Sequence, residues 1–143
     1  MNADQGTKIN KLNDIAHKPR RLTVLGSTGS IGCNTLDLVT HASGQFEIEA
    51  LTAFRNVADL AAQARKHKAE LAVIADESLY NDLKTALAGS KVKVAAGASG
   101  LIEAADRAAD LVMTGIVGAA GLPPTLAAIR QGTTVAVANK EPL

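Results

Sequence analysis

The run "VLGSTGSIG", Val24 to Gly32, decides how this chain is read. Gly26, Gly29 and Gly32 follow an apolar stretch and precede a segment of helical spacing, the arrangement of a turn that cradles a phosphate between a strand and a helix. Their G-x-x-G-x-x-G spacing is neither the G-x-G-x-x-G dinucleotide fingerprint nor the triphosphate loop, which needs a lysine that does not follow Gly32. The physical logic still carries. Gly26 lets the chain turn off the strand, Gly29 lets backbone approach a pyrophosphate, and Gly32 lets the helix pack on the sheet. Thr28, Gly29, Ser30 and Ile31 then present amides and hydroxyls at a helix N-terminus, where the dipole favours anions. The plain alternative is a tight turn without a ligand. Its place after the first strand of an alternating chain favours the ligand.

Outward from this turn, β-favouring runs alternate with alanine-rich amphipathic stretches. The predicted strands are Arg21 to Leu25, Phe46 to Thr52, Leu71 to Ala75, Lys91 to Ala95, Leu111 to Ile116 and Thr133 to Ala138. The predicted helices are Ile31 to His41, Val57 to His67, Leu79 to Ala88, Gly100 to Ala108 and Pro124 to Gln131. In the first, Ile31, Leu36, Leu38 and Val39 fall near one face; in the second, Val57, Leu60, Ala61 and Ala64 do. Pro123 and Pro124 suit a helix start, and Gly89 and Gly132 suit helix ends. Such alternation implies parallel strands with helices on both faces, a doubly wound α/β sheet whose ligands bind beyond the carboxyl ends of the strands.

Two of those ends carry chemistry. The second strand runs out into "LTAFRN", with Glu47 and Glu49 inside the strand and Arg55 and Asn56 past its end. NAD sites place a carboxylate there for the ribose 2′-hydroxyl, whereas a guanidinium grips a 2′-phosphate with two parallel hydrogen bonds. Arg55 therefore predicts NADP, although alone it would pass for a solvated loop charge. The last strand runs out into "ANKEPL". Asn139 can donate and accept toward a ribose or carboxamide, Lys140 offers a cation to a phosphate or carbonyl, and Glu141 can accept hydrogen bonds or work as an acid or base.

Composition narrows the classes. The 143 residues suit one domain, residues 21–143, preceded by a polar, aperiodic tail over residues 1–20. A net charge of +1 gives no general drive toward nucleic acid or acidic membranes, and Phe46, Phe54 and Tyr80 are too few for base-stacking platforms along a strand. The tail has no secretory core or membrane span, and Asp4 and Asp14 argue against a transit signal, so a cytoplasmic protein is expected. The single cysteine, Cys33, excludes an internal disulfide; a packing role in the first helix is expected for it. His17, His41 and His67 are scattered, and no acidic cluster has metal-ligand spacing.

Taken together, "LGSTGSIGCNTLDLV", "AFRNV" and "IVGAAGLPPTLAAIRQGTTVAVANKE" resemble, in order and spacing, the N-terminal NADPH-binding domain of the 1-deoxy-D-xylulose 5-phosphate reductoisomerases. The resemblance covers Leu22 to Leu143. It implies a Rossmann-type domain of an enzyme that rearranges 1-deoxy-D-xylulose 5-phosphate and reduces the resulting aldehyde with NADPH to 2-C-methyl-D-erythritol 4-phosphate, for isoprenoid synthesis. It also implies a homodimer and a divalent metal, Mg, Mn or Co. By position, Thr28, Gly29, Ser30 and Ile31 resemble pyrophosphate contacts, and Arg55 and Asn56 resemble contacts to the 2′-phosphate and adenosine ribose. Asn139 and Glu141 look like nicotinamide-side contacts, and Lys140 looks like a substrate contact.

The family's metal-binding carboxylates, substrate-phosphate groups and dimer-forming segments come later than "NKE", so neither catalytic nor metal-binding residues are expected here, and cofactor binding without turnover is. Two positions depart from the family pattern. Phe54 stands where a small residue is usual and either crowds the adenosine side or stacks on the adenine. Pro142 replaces a serine and pushes Glu141 toward extended geometry. The rival readings are the NADP domain of another dehydrogenase, such as a semialdehyde enzyme, and a free-standing dinucleotide-binding module.

Overall fold

The computed structural model describes residues 18–115 and 134–137. Six strands form one sheet in the order β4-β3-β2-β1-β5-β6. They are β1 (Arg20–Leu25), β2 (Phe46–Ala53), β3 (Leu71–Ile74), β4 (Lys93–Ala96), β5 (Leu111–Thr114) and β6 (Thr134–Val137). Every neighbouring pair is parallel. The helices are α1 (Ser30–His41), α2 (Val57–His67), α3 (Tyr80–Ala86) and α4 (Gly97–Asp106), with a short 3₁₀ turn over Glu77–Leu79. The doubly wound α/β architecture expected from the alternation is therefore present.

Strands β1, β2 and β3 are buried on both faces over most of their length, which is why they read as nearly continuous apolar runs. Leu22 and Val24 of β1 face one core with Leu36, Ile48, Leu51, Leu60, Ile74 and Leu83. Leu25 faces the other with Ala50, Leu71, Val73, Leu101, Ala104 and Val112. Helices α1, α2 and α3 thus cover one face and α4 covers the other. From β1 to β4 the chain steps steadily toward one edge, and after α4 it returns to pair β5 with the free side of β1. The direction of winding reverses between β1 and β5, so the crevice for a ligand opens beyond the carboxyl ends of those two strands.

Several boundaries differ from the sequence reading. β4 begins at Lys93 because Ser90 turns the chain first: its hydroxyl donates to Leu87 O at 2.5 Å and accepts from Val92 N at 3.3 Å. The helix expected from Leu79 is preceded by the 3₁₀ turn, which Asp76 caps by accepting from Ser78 N at 3.0 Å. α4 starts at Gly97 rather than Gly100. Gly100 lies inside the helix, where a Cβ would meet Val73 Cγ1 at 2.9 Å, so the close helix-on-sheet approach assigned by sequence to Gly32 occurs here. Leu38 does not join the apolar face of α1: it is 71% exposed. Gly32, Leu36 and Val39 fall at i, i+4 and i+7 and form the inward stripe, while Leu38 is turned about 200° from Leu36.

The helix expected over Pro124 to Gln131, Gly132, the tail residues 1–17, and Asn139, Lys140, Glu141 and Pro142 lie outside the described residues.

Candidate functional site: the turn after β1 and the end of β2

β1 ends at Leu25, and the chain leaves it through Gly26, whose φ of +79° is strained for any residue with a side chain. Gly26 N donates to the Thr52 hydroxyl at 2.9 Å, and Ser27 N donates to Thr52 O at 2.7 Å, so β2 holds the start of the turn. Gly29 is the N-cap of α1 and has no side chain to satisfy the helix amides; no acidic residue stands in the first turn. The amides of Ser30, Ile31 and Gly32 therefore open the helix without intrahelical partners, and no side chain of the cap or first turn offsets the positive end of the dipole. Gly29 and Ser30 are exposed; Thr28 and Ile31 are half-buried. The four residues read from the sequence as a pyrophosphate cradle thus lie together at the switch between β1 and β5.

Gly32 is obligatory for a different reason from the one inferred. A Cβ there would come within 2.4 Å of Gly26 O and 2.5 Å of Ser27 Cα. The helix packs on its own preceding turn, and that contact curls the cradle. At Gly29 the nearest atom to a Cβ would be 3.7 Å away, so the protein leaves room on the side where an anion would approach. Gly115, just past β5, donates to Leu25 O at 2.8 Å and closes the crevice floor.

A polar clasp that sequence reasoning missed fixes the turn from below. Ser27 is fully buried, and its hydroxyl donates to Gln63 Oε1 at 2.7 Å while Gln63 Nε2 donates back to Ser27 O at 3.0 Å. Gln63 Nε2 also lies 3.7 Å from the Cys33 sulfur. Cys33 is half-buried against the turn, 3.5 Å from Thr28 O, in the packing role expected of it. The signal in the sequence was faint. Gln63 follows Leu60 by three residues, a polar side chain on the inward stripe of α2.

Arg55 and Asn56 sit at the carboxyl end of β2 and both are exposed. The Arg55 Nε is 3.3 Å from Asp76 Oδ2, an acid delivered by the end of β3. Asp76 is held below the usual carboxylate range first by hydrogen bonds from the Ser78 side chain and backbone, and then by Arg55. The sequence reading set Arg55 past the end of β2 with no partner named for it; the fold supplies Asp76. Water screens an exposed pair of this kind, so it orients the guanidinium without locking it. Asn56 is the N-cap of α2: its Oδ1 accepts from Asp59 N at 3.1 Å, and its Nδ2 donates to Asp59 Oδ2 at 2.8 Å. Its side chain is partly committed to the helix, leaving one amide hydrogen and one lone pair for a ribose.

Among the described residues no three His, Cys, Asp or Glu side chains gather where they could hold a metal ion, and no helix is long and apolar enough to cross a membrane.

The sequence profile of the 1-deoxy-D-xylulose 5-phosphate reductoisomerases matches residues 22–143. The chain belongs to that family. It is 60% identical over 126 residues to the 1-deoxy-D-xylulose 5-phosphate reductoisomerase of Zymomonas mobilis, covering 88% of this chain and 32% of that relative. The solved structure of the Zymomonas mobilis reductoisomerase in complex with NADPH superposes with a TM-score of 0.83 at 61% identity, over 85% of this chain and 32% of that one. A second reductoisomerase structure, in complex with NADPH, fosmidomycin and magnesium, superposes with a TM-score of 0.81 at 39% identity, over 85% of this chain and 30% of that one. The chain thus spans about a third of the length of the reductoisomerases it matches.

Proposed function

We propose that this chain is the NADPH-binding part, residues 21–143, of an enzyme that rearranges 1-deoxy-D-xylulose 5-phosphate and reduces the product to 2-C-methyl-D-erythritol 4-phosphate. The observation that carries the reading is the uncapped, acid-free N-terminus of α1, curled by Gly32 and set at the sheet's switch point. The amides from Thr28 to Ile31 take the pyrophosphate. Thr52 and Gln63 hold Gly26 and Ser27, which lead into those amides, and Arg55 takes the 2′-phosphate while Asp76 sets the angle of its guanidinium. The residues present fit the group: an anion cradle and a cation at the end of β2 are what NADPH requires. When bound, NADPH supplies the hydride.

Asn139 and Glu141 serve the nicotinamide end and Lys140 helps seat the sugar phosphate. The divalent metal, Mg, Mn or Co, is held by carboxylates of the complete enzyme. The complete protein works as a cytoplasmic homodimer and needs no nucleic acid or membrane partner.

Calorimetric titration with NADPH and NADH tests the cofactor assignment. The parent should hold NADPH at least about tenfold tighter, the equivalent of roughly 1.4 kcal/mol, and Arg55→Glu should erase the preference by repelling the 2′-phosphate. Equal binding of both cofactors by the parent would sink the assignment.

A further inference from the structure

Phe54 is the first residue after β2, and its surroundings are unusual for an aromatic ring. Its backbone is rigid: Ala75 N donates to Ala53 O at 2.8 Å and Asp76 N donates to Phe54 O at 3.0 Å, so the β2–β3 ladder continues past both strands. Its side chain nevertheless stays 70% exposed. A ring of this size ordinarily gains by burial, and here it forgoes that gain at a position the backbone holds firmly. The neighbours explain where such a ring could be covered. Arg55 follows it, anchored on Asp76, and Asn56 follows that, opening α2. A nucleotide whose ribose phosphate is gripped by Arg55 would bring its base to this same end of β2, where Phe54 is the exposed aromatic ring.

We propose that Phe54 is the platform on which the adenine of the cofactor stacks, an inference that rests on the NADPH assignment above. The division of labour is then clear. Arg55 reads the phosphate and sets the choice between NADP and NAD; Phe54 reads the flat face of the base and adds affinity to both. A phenyl ring has no hydrogen-bonding edge, so it distinguishes a base from no base and tolerates replacement of adenine by hypoxanthine.

The test compares the parent with Phe54→Ala, Phe54→Leu and Phe54→Trp, titrated with adenosine 2′,5′-bisphosphate and with NADPH. Residue 54 is exposed, so these changes leave the core intact. Phe54→Ala and Phe54→Leu should both weaken the bisphosphate by about tenfold, the loss expected for one base–aromatic stack, while Phe54→Trp binds at least as well as the parent. The sequence contains no tryptophan, so the introduced indole should also report the stack as ligand-dependent quenching. Three results overturn the stacking itself. Equal affinity in all four proteins means that the ring touches something else, such as another part of the polypeptide. Parent-like binding by Phe54→Leu means simple apolar contact, and tighter binding by Phe54→Ala means that the ring crowds the site. If the parent binds neither NADPH nor the bisphosphate, the cofactor assignment itself fails and takes this inference with it, whereas normal NADPH binding with an indifferent residue 54 overturns the stacking alone.

Discussion

The two ends of the same strands are built on opposite plans. At the amino ends, the protein satisfies its charges with its own side chains. Glu49 of β2, 8% exposed, accepts from Arg21 of β1 and, at 2.7 Å, from Arg107 just past α4, while Arg21 also reaches Glu47 at 2.8 Å. Burial acts to raise the Glu49 carboxyl, but the hydrogen bonds and charges of Arg21 and Arg107 outweigh it and hold it below the usual range. The Arg21 backbone amide donates to Asp110 at 2.8 Å, and Asp110 N returns a bond to Arg21 O. At the carboxyl ends, α1 begins with bare amides and Arg55 points a cation into solvent with one weakly held partner. Polarity serves stability where it is closed and recognition where it is left open.

Breaking the closed end should cost the most. Glu49→Ala leaves two part-exposed guanidinium groups without the acid between them, Arg21 keeping only Glu47, and stability should fall by about 2–3 kcal/mol, measured by urea unfolding. NADPH affinity of the folded fraction should not change, because the cluster lies at the far end of the sheet. The pH dependence sharpens the point. A carboxyl depressed in the folded state stabilises above its unfolded pKa, about 4.3, and that contribution is lost as pH falls through the lower, folded value. Glu49→Gln should flatten this acid limb; an unaltered limb would mean the cluster is not its source.

Gly32→Ala tests the open end. Its methyl would press on backbone atoms of Gly26 and Ser27 that cannot rotate away, so a stability loss of about 1–3 kcal/mol is expected together with loss of measurable NADPH binding. Retention of parental NADPH affinity would show that the curl of the turn does not matter to the cofactor. The smallest effect is expected at Asn56, where the two plans meet. Asn56→Ala removes the α2 cap and should cost about 1 kcal/mol of stability, whereas Asn56→Asp keeps an acceptor for Asp59 N, loses the donor to the Asp59 carboxylate, and should weaken NADPH by placing a negative charge beside the phosphate. If Asn56→Asp binds NADPH like the parent, residue 56 is a cap and nothing more.

Local pattern carried much of this molecule. The alternation of apolar runs with alanine-rich stretches specified a doubly wound sheet, and α2 spans the predicted Val57–His67 because its stripe of Leu60, Ala61 and Ala64 matches the helical period. The first turn was legible because left-handed φ restricts Gly26 to glycine and close backbone approach restricts Gly32. Short-range features survive because they depend on residues within one or two turns of each other.

What the sequence could not supply were the encounters between distant residues. Ser27 and Gln63 are 36 positions apart, Glu49 and Arg107 are 58 apart, and Arg55 meets an acid from the next strand. Each pair is made by the register of parallel strands and the crossing of helices over them, and neither quantity is written in any one segment. The sequence by itself determined most of the elements, the family and the glycine turn after β1, since the elements and the turn follow from local backbone preference and side-chain period and the family from motifs in order. Only the tertiary structure decided which polar groups are spent on holding the fold and which remain for a ligand, because that depends on who stands opposite once the sheet is assembled.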